Sequence, residues 1–307
     1  GGARQRRRRR TACQKGRVME LSLLVTQAWD DYGLIDSGHG RKLERYGPYR
    51  FIRPEPQAMW TPASDAWVAD GEFVGGSEED GGGRWNLDAK VPQSWPLSRG
   101  PLKFWAANTN FRHLAFFPDM AVHWDWMAGR LGTGKDVLNL FGYTGVGTLA
   151  CAAAGANVTH VDASKKAMAS AVENARLSGL GDRAVRWLVD DALKFMRREV
   201  RRGKRYDGII LDPPKYGRGP DGEIWELYRD LPELVALARA LLDEKSSFLV
   251  LTVYAIRMSA VAIGELVAEV FAPLGGHIEV GEMAIAEEAR GRLLPTAIFV
   301  RWTAAQA

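Results

Sequence analysis

From about residue 131 onward, strand-sized apolar runs alternate with helix-length runs, and few folds accommodate that pattern. The runs at 137–141, 158–162, 185–189, 208–212 and 248–253 are short and aliphatic. Segments 145–155, 164–178, 191–202, 224–243 and 258–271 read as the intervening helices. In the second, Ala167, Ala171, Val172 and Ala175 recur at helical spacing and Gly179 stops the run. Apolar strands joined by helices imply a parallel sheet covered on both faces. Two more strand-like stretches, 277–285 and 297–302, follow with only a loop between them, so they pair as an antiparallel hairpin at one edge. The expected class is α/β: a doubly wound, mostly parallel, seven-stranded sheet with an antiparallel edge hairpin.

The chain before this region has another texture. Eight of the eleven tryptophans lie between Trp29 and Trp126, among turn signals such as Gly47-Pro48 and Asp70-Gly71. This predicts a small β-rich domain at 19–130 ahead of the α/β domain at 131–307, with the tryptophans as packing residues. The Gly/Glu/Asp cluster at 75–83 reads as a mobile hairpin tip. Residues 1–18 form a basic tail, expected to be disordered. It holds eight Lys or Arg and no acid up to Arg17, which leaves 33 basic against 37 acidic residues elsewhere, a net of −4. The basic pI therefore belongs to the tail. Contact with nucleic acid, a targeting segment and an extension without a specific role all remain open for it. Apolar runs are strand-sized, so no membrane association is expected. Two cysteines and five scattered histidines argue for a reducing compartment, here the cytoplasm, and against a metal site.

The first α/β strand runs into Phe141-Gly142-Tyr143-Thr144-Gly145-Val146-Gly147. Glycines there permit a tight turn and close approach of backbone to a ligand, and the next helix presents its N–H groups. Asp162 ends the second strand, twenty residues after Gly142, where a carboxylate accepts from both ribose hydroxyls; Ala163 and Ser164 follow it in the candidate site. Asp190 and Asp191 end the third strand. Asp191 is the better placed to accept from an adenine amine, while the Ala192 N–H reaches a ring nitrogen. Three such features at consecutive strand ends point to a nucleoside-bearing ligand; a methyl donor has no phosphate, but its methionyl carboxylate can use the same N–H donors.

Asp212-Pro213-Pro214-Lys215 ends the fourth strand. The prolines stiffen the backbone and fix the directions of the Asp212 side chain and the Pro213 carbonyl. Two rigid acceptors can hold the hydrogens of a planar amine with its nitrogen aimed at a methyl group. Lys215 or Tyr216 is in position to touch a phosphate or stack on a base.

Leu140 to Gly145, the stretch from Ala171 to Leu180 around Glu173-Asn174-Ala175, and Asp212 to Lys215 together resemble the class I methyltransferases that modify bases of large-subunit ribosomal RNA. The likeness covers about residues 100–303. It implies the class I methyltransferase fold, S-adenosylmethionine as donor, no metal, and Gly142 to Gly145 and Asp162 as donor contacts. Phe116-Phe117-Pro118-Asp119 is similar to the family's Phe-Leu-Asp-Gln stretch that closes over the cofactor, so Phe117 and Pro118 join the donor site. Met120 stands where that stretch has Gln. No counterpart of the separate RNA-binding domain of some members is expected in 20–130. Members that methylate carbon 5 of cytosine carry a cysteine near the end of the fifth strand. Here 249–254 has no thiol, so the expected acceptor is a base nitrogen of guanine or adenine in RNA, ribosomal by resemblance. A second basic cluster, Arg197 to Arg205, is a candidate RNA contact. A protein or small-molecule amine or amide as acceptor, and a noncatalytic dinucleotide-binding module, are the competing readings. The oligomeric state is not legible.

Overall fold

The computed structural model describes residues 19–75, 82–254 and 256–305. The tail expected at 1–18, with Cys13, and the hairpin-tip residues 76–81 lie outside the described residues. Strand β1 (Met19–Thr26) comes first. Three antiparallel strands follow: β2 (Tyr32–Gly38), β3 (Arg41–Tyr46) and β4 (Tyr49–Pro54). Strands β5 (Gly71–Val74) and β6 (Arg84–Leu87) extend them to a five-stranded sheet. A hairpin of β7 (Ser94–Arg99) and β8 (Leu102–Ala107) completes the β-rich part. Its centre is aromatic, as the tryptophan density predicts. Tyr32, Tyr46 and Phe51 are buried, and Trp95 stacks on Phe51 at 5.5 Å. Glu44 is buried among them and accepts from Arg53 at 2.7 and 2.8 Å, the pairing a buried charge requires.

A helix not read from the sequence, α1 (Ala121–Ala128), precedes the alternating region. Then come β9 (Asp136–Leu140), α2 (Val146–Ala153), β10 (Asn157–Asp162), α3 (Lys165–Leu177), β11 (Val185–Val189), α4 (Ala192–Arg201) and β12 (Gly208–Leu211). A small hairpin, β13 (Tyr216–Arg218) and β14 (Ile224–Glu226), follows β12. It takes up residues 224–226 of the expected helix, so α5 is Leu227–Ala240. The chain ends with β15 (Phe248–Val253), α6 (Ala260–Phe271), β16 (His277–Ala286) and β17 (Leu293–Thr303).

The large sheet runs β1-β16-β17-β15-β12-β9-β10-β11. Strand β17 is antiparallel to both its neighbours, and every other pairing in the sheet is parallel. The fold class is the expected one, with two differences. The sheet has eight strands, because β1 pairs with β16 along its whole length. The β16–β17 hairpin therefore is not the edge; β1 covers a backbone ladder that would otherwise be unpaired. Strand β1 also belongs to this sheet, although the sequence grouped residues 19–130 apart.

Side chains alternate across the strands and so divide the core. Leu138, Ile209, Leu249 and their neighbours pack with α4, α5 and α6. Val137, Ile210 and Val250 face the other way and share one cluster with Phe51, Trp95 and Phe104 of the β-rich part. The consequence for function is positional. Strand β9 pairs with β10 on one side and β12 on the other, in register Leu140 to Leu211. Their carboxyl ends therefore open side by side where the strand order reverses, the usual ligand crevice of such sheets.

Candidate active site

Phe141 and Asp212 leave β9 and β12 at the same level, because Leu140 is paired with Leu211. The loop after β9 is strained. Phe141 and Tyr143 have φ of 57° and 49°, and Gly145, at 82°, begins α2. Left-handed backbone at non-glycine residues persists only when the surroundings enforce it. Several contacts do so. Asp162 Oδ2 accepts from the Tyr143 N–H at 2.9 Å. The Thr144 hydroxyl donates to the Ala115 carbonyl at 2.6 Å, and the Thr144 carbonyl accepts from Asn174 at 2.9 Å. The Phe141 ring rests on Trp225, 5.1 Å between centroids.

Gly142 has a different reason to be glycine. Its φ is not positive, but a Cβ there would lie 2.4 Å from His160 Cε1. His160 is buried under the loop, its Nδ1 2.8 Å from the Thr148 hydroxyl, which accepts from Asn139 at 2.9 Å. Burial pushes the imidazole down to about 3, so it is neutral.

A cavity opens above the loop, lined by Phe116, Phe117, Trp124, Asn139, residues 141–147, Ile210 and Asp212, with Met120 where the family stretch carries Gln. At Gly147 an added Cβ would project among these groups, with only Asn139 Nδ2 at 3.7 Å and Trp124 Nε1 at 4.0 Å nearby. That glycine leaves a cradle beside the start of α2, which suits the methionyl end of an adenosyl donor. Each oxygen of Asp162 accepts one backbone N–H, from Tyr143 and from Ser164 at 2.8 Å, and keeps lone pairs for ribose hydroxyls. Burial raises this carboxyl above its ordinary value.

Asp212 also lines the cavity, and its buried Oδ1 has no partner. Burial, aided by the nearby Asp119, pushes its carboxyl up to about 8. Pro213 is buried, and the Pro214 carbonyl accepts from Trp225 Nε1 at 2.6 Å. Since Trp225 also supports Phe141, one side chain ties the Asp-Pro-Pro turn to the glycine loop.

Residues 78–247 match the family described as S-adenosylmethionine-dependent methyltransferase, more than half of the chain. The chain belongs to this family. A crystal structure of an S-adenosylmethionine-dependent methyltransferase from Agrobacterium tumefaciens is 43% identical and superposes with a TM-score of 0.89, over 95% of this chain and 98% of that one. SMU.776 complexed with SAH shares the fold at 16% identity, with a TM-score of 0.69 over 86% of this chain and 72% of that one. The protein named ribosomal RNA large subunit methyltransferase I from Shewanella amazonensis is 43% identical over 91 residues, 29% of this chain. That match spans 23% of the relative's length.

Of the sixteen site residues expected from the sequence, seven line one cavity of the methyltransferase. Phe117, Phe141 to Gly145 and Asp212 line the cavity. Pro118 is buried and starts the single turn Pro118–Met120 that carries Phe117. Ser164 caps α3 by accepting from Ala167, with Ala163 between it and Asp162. Asp191 caps α4 by accepting from Lys194 at 2.8 Å, which engages one of its oxygens, and Ala192 is buried. Asp190 is committed to Arg198. Lys215 is exposed and does not line the cavity.

The second basic cluster is largely neutralised. Arg197 pairs with Glu233, Arg202 with Glu199, and Lys204 with Asp136. Asp136 starts β9, so the cluster's end lies across the sheet from the glycine loop. An open groove of about 430 Å³ at that far end, between Arg183, Arg186 and Tyr206, shares no lining residue with the cavity above the glycine loop. Sequence reading assigned no site role to Asn139, His160, Asn174 or Trp225, although Asn174 lies in the stretch that carries the family resemblance. The first two had a signal: a polar side chain inside an apolar strand needs a buried partner. Asn174 bridges the Thr144 carbonyl and the Trp105 N–H, a contact that only the fold creates. No helix among the described residues is long and apolar enough to cross a membrane.

Proposed function

We propose that this methyltransferase transfers the methyl group to a base nitrogen of RNA, with large-subunit ribosomal RNA as the substrate and the cytoplasm as its place of action. The observation that carries the reading is the unpartnered, buried Oδ1 of Asp212 on a proline-stiffened turn beside the donor cavity. Protonated or not, Asp212 keeps an oxygen that accepts from an exocyclic amine, and the Pro213 carbonyl is the second acceptor. The donor supplies an electrophilic methyl on a positively charged sulfur. With the donor bound, Asp212 and the Pro213 carbonyl would hold the amine so that its lone pair attacks the methyl carbon as the C–S bonding pair leaves with sulfur, and the nitrogen would pass its surplus proton to the Asp212 carboxylate or to solvent. Alignment and exclusion of water supply most of the rate.

Carbon methylation through a cysteine is disfavoured. Cys151, the free cysteine among the described residues, is buried on α2, and burial pushes its thiol up to about 12. Strand β15 ends at Thr252-Val253 and Tyr254 follows it, without a thiol. The ribosomal choice rests on the name of the relatives matched over 91 residues. Labelled methyl transfer to unmodified large-subunit RNA, followed by digestion to nucleosides, tests the whole reading. An N-methylated nucleoside is expected. Label in 5-methylcytidine would overturn the catalytic assignment. Label only in a protein or a small amine would replace RNA as the acceptor.

A further inference from the structure

Two elements flank the mouth of the cavity. One is the segment before the single turn Pro118–Met120. Phe111 is 54% exposed and lies parallel to His113, 18° and 5.5 Å apart. His113 meets Phe117 at 5.2 Å and Tyr143 at 5.5 Å, and Phe117 meets Tyr254 at 5.8 Å. Rings thus run without a break from solvent to the cavity wall. Burial with Arg53 and Arg112 nearby pushes His113 down to about 4, so the path is uncharged at neutral pH.

The other element is the β13–β14 hairpin. Gly217 and Trp225 are paired and turn inward, where Trp225 packs on Phe141. Strand alternation then points Tyr216, Arg218 and Ile224 outward. Tyr216 is 54% and Ile224 50% exposed, and Lys215 and Arg218 are exposed beside them. The hairpin's acids are engaged: Asp221 and Glu223 with Lys194, and Glu226 with Arg229. What remains outward is apolar and cationic.

Exposed rings next to cations form the usual platform for unpaired nucleotides, since every base has a face to stack and every link a phosphate. A base nitrogen inside a duplex is also out of reach of a buried carboxyl such as that of Asp212. We infer that single-stranded RNA threads between Phe111 and the hairpin. Bases next to the acceptor stack on Phe111 and Tyr216, and phosphates meet Lys215 and Arg218. The inference rests on the RNA reading above and names the surface that holds the RNA.

Fluorescence anisotropy of the full chain with a labelled single-stranded RNA oligonucleotide, and with its duplex, over a salt series tests it. The single strand should bind more tightly. Phe111→Ala should weaken single-strand binding about tenfold. Arg218→Ser should lower the slope of log affinity against log salt by about 0.7. Arg205→Ser, exposed at the far end of the sheet, should change neither, and all three variants should keep their affinity for adenosylhomocysteine. Wild-type binding by Phe111→Ala, equal binding of the duplex, or the same loss in Arg205→Ser would overturn the surface. If RNA binds as described but accepts no methyl group, the surface stands and the catalytic reading fails. If RNA is methylated and Phe111→Ala keeps its kcat/KM, the catalytic reading stands and the surface fails.

Discussion

Two glycines of the glycine loop should respond to the same substitution with opposite signs. In Gly142→Ala the new Cβ would sit 2.4, 2.6 and 2.9 Å from three ring atoms of His160. That ring is fully buried, packs on Trp187 at 5.0 Å and is held by Thr148 at 2.8 Å, so it cannot turn aside without losing a hydrogen bond. Overpacking costs about 1–3 kcal/mol, and the lost bond about 1 more. The entropy gain of replacing glycine returns about 0.4–1 kcal/mol. A net loss of about 1–3.5 kcal/mol follows, roughly 2–5 °C in Tm for a chain of this length. In Gly147→Ala nothing lies closer than 3.7 Å, and the residue is in α2, so stability should hold or rise by up to about 1 kcal/mol. Its methyl group, however, occupies the cradle, and donor affinity should fall about tenfold or more. Urea unfolding and calorimetry with adenosylhomocysteine measure both effects. A Gly142→Ala protein as stable as wild type would refute the steric account of the loop. A Gly147→Ala protein that binds the cofactor normally would refute its placement.

Other residues make separate demands. Asp162→Ala removes the acceptor of the Tyr143 and Ser164 N–H groups as well as the ribose site, so donor affinity measured by calorimetry should fall at least about tenfold. Asp212→Ala should abolish methyl transfer in the labelled assay while leaving donor affinity within about twofold. The Asp212 carboxyl is held at about 8, above its unfolded value, so the native state binds the extra proton between about pH 4 and 8. Its contribution to stability is therefore present at low pH and lost as pH rises through that window. Urea midpoints at pH 5 and pH 8 should show that Asp212→Asn removes this decline; an unchanged slope would mean that Asp212 is ionised throughout. Cys151→Ala should retain methyl transfer within about twofold, and a large loss of transfer with normal folding would reopen a role for the thiol.

The alternation of apolar strands and helices was legible because both faces of a parallel sheet must be buried, which prints continuous aliphatic runs into the sequence. Strand β1 was not legible. A strand that only covers another strand's edge carries a weak pattern, and its partner β16 lies more than 250 residues away in the register Met19 to Ile278. The β13–β14 hairpin was hidden because its three-residue strands are shorter than any periodicity window. Asp191 was read as a ligand group, and its local geometry also makes it a helix cap through one of its oxygens; both roles favour an acid at the same strand end.

The sequence alone determined the order of the parts: a strand, a tight glycine-rich turn, Asp162, then the Asp-Pro-Pro turn. These are local features, and local chemistry enforces them. Only the tertiary structure decided that the turn after β9 and the turn after β12 meet, because the adjacency of those strands depends on pairing between segments some seventy residues apart. It also decided what the glycines are for. Gly142 is small to admit His160, and Gly147 is small to leave a cavity, two demands that look identical until the chain is folded.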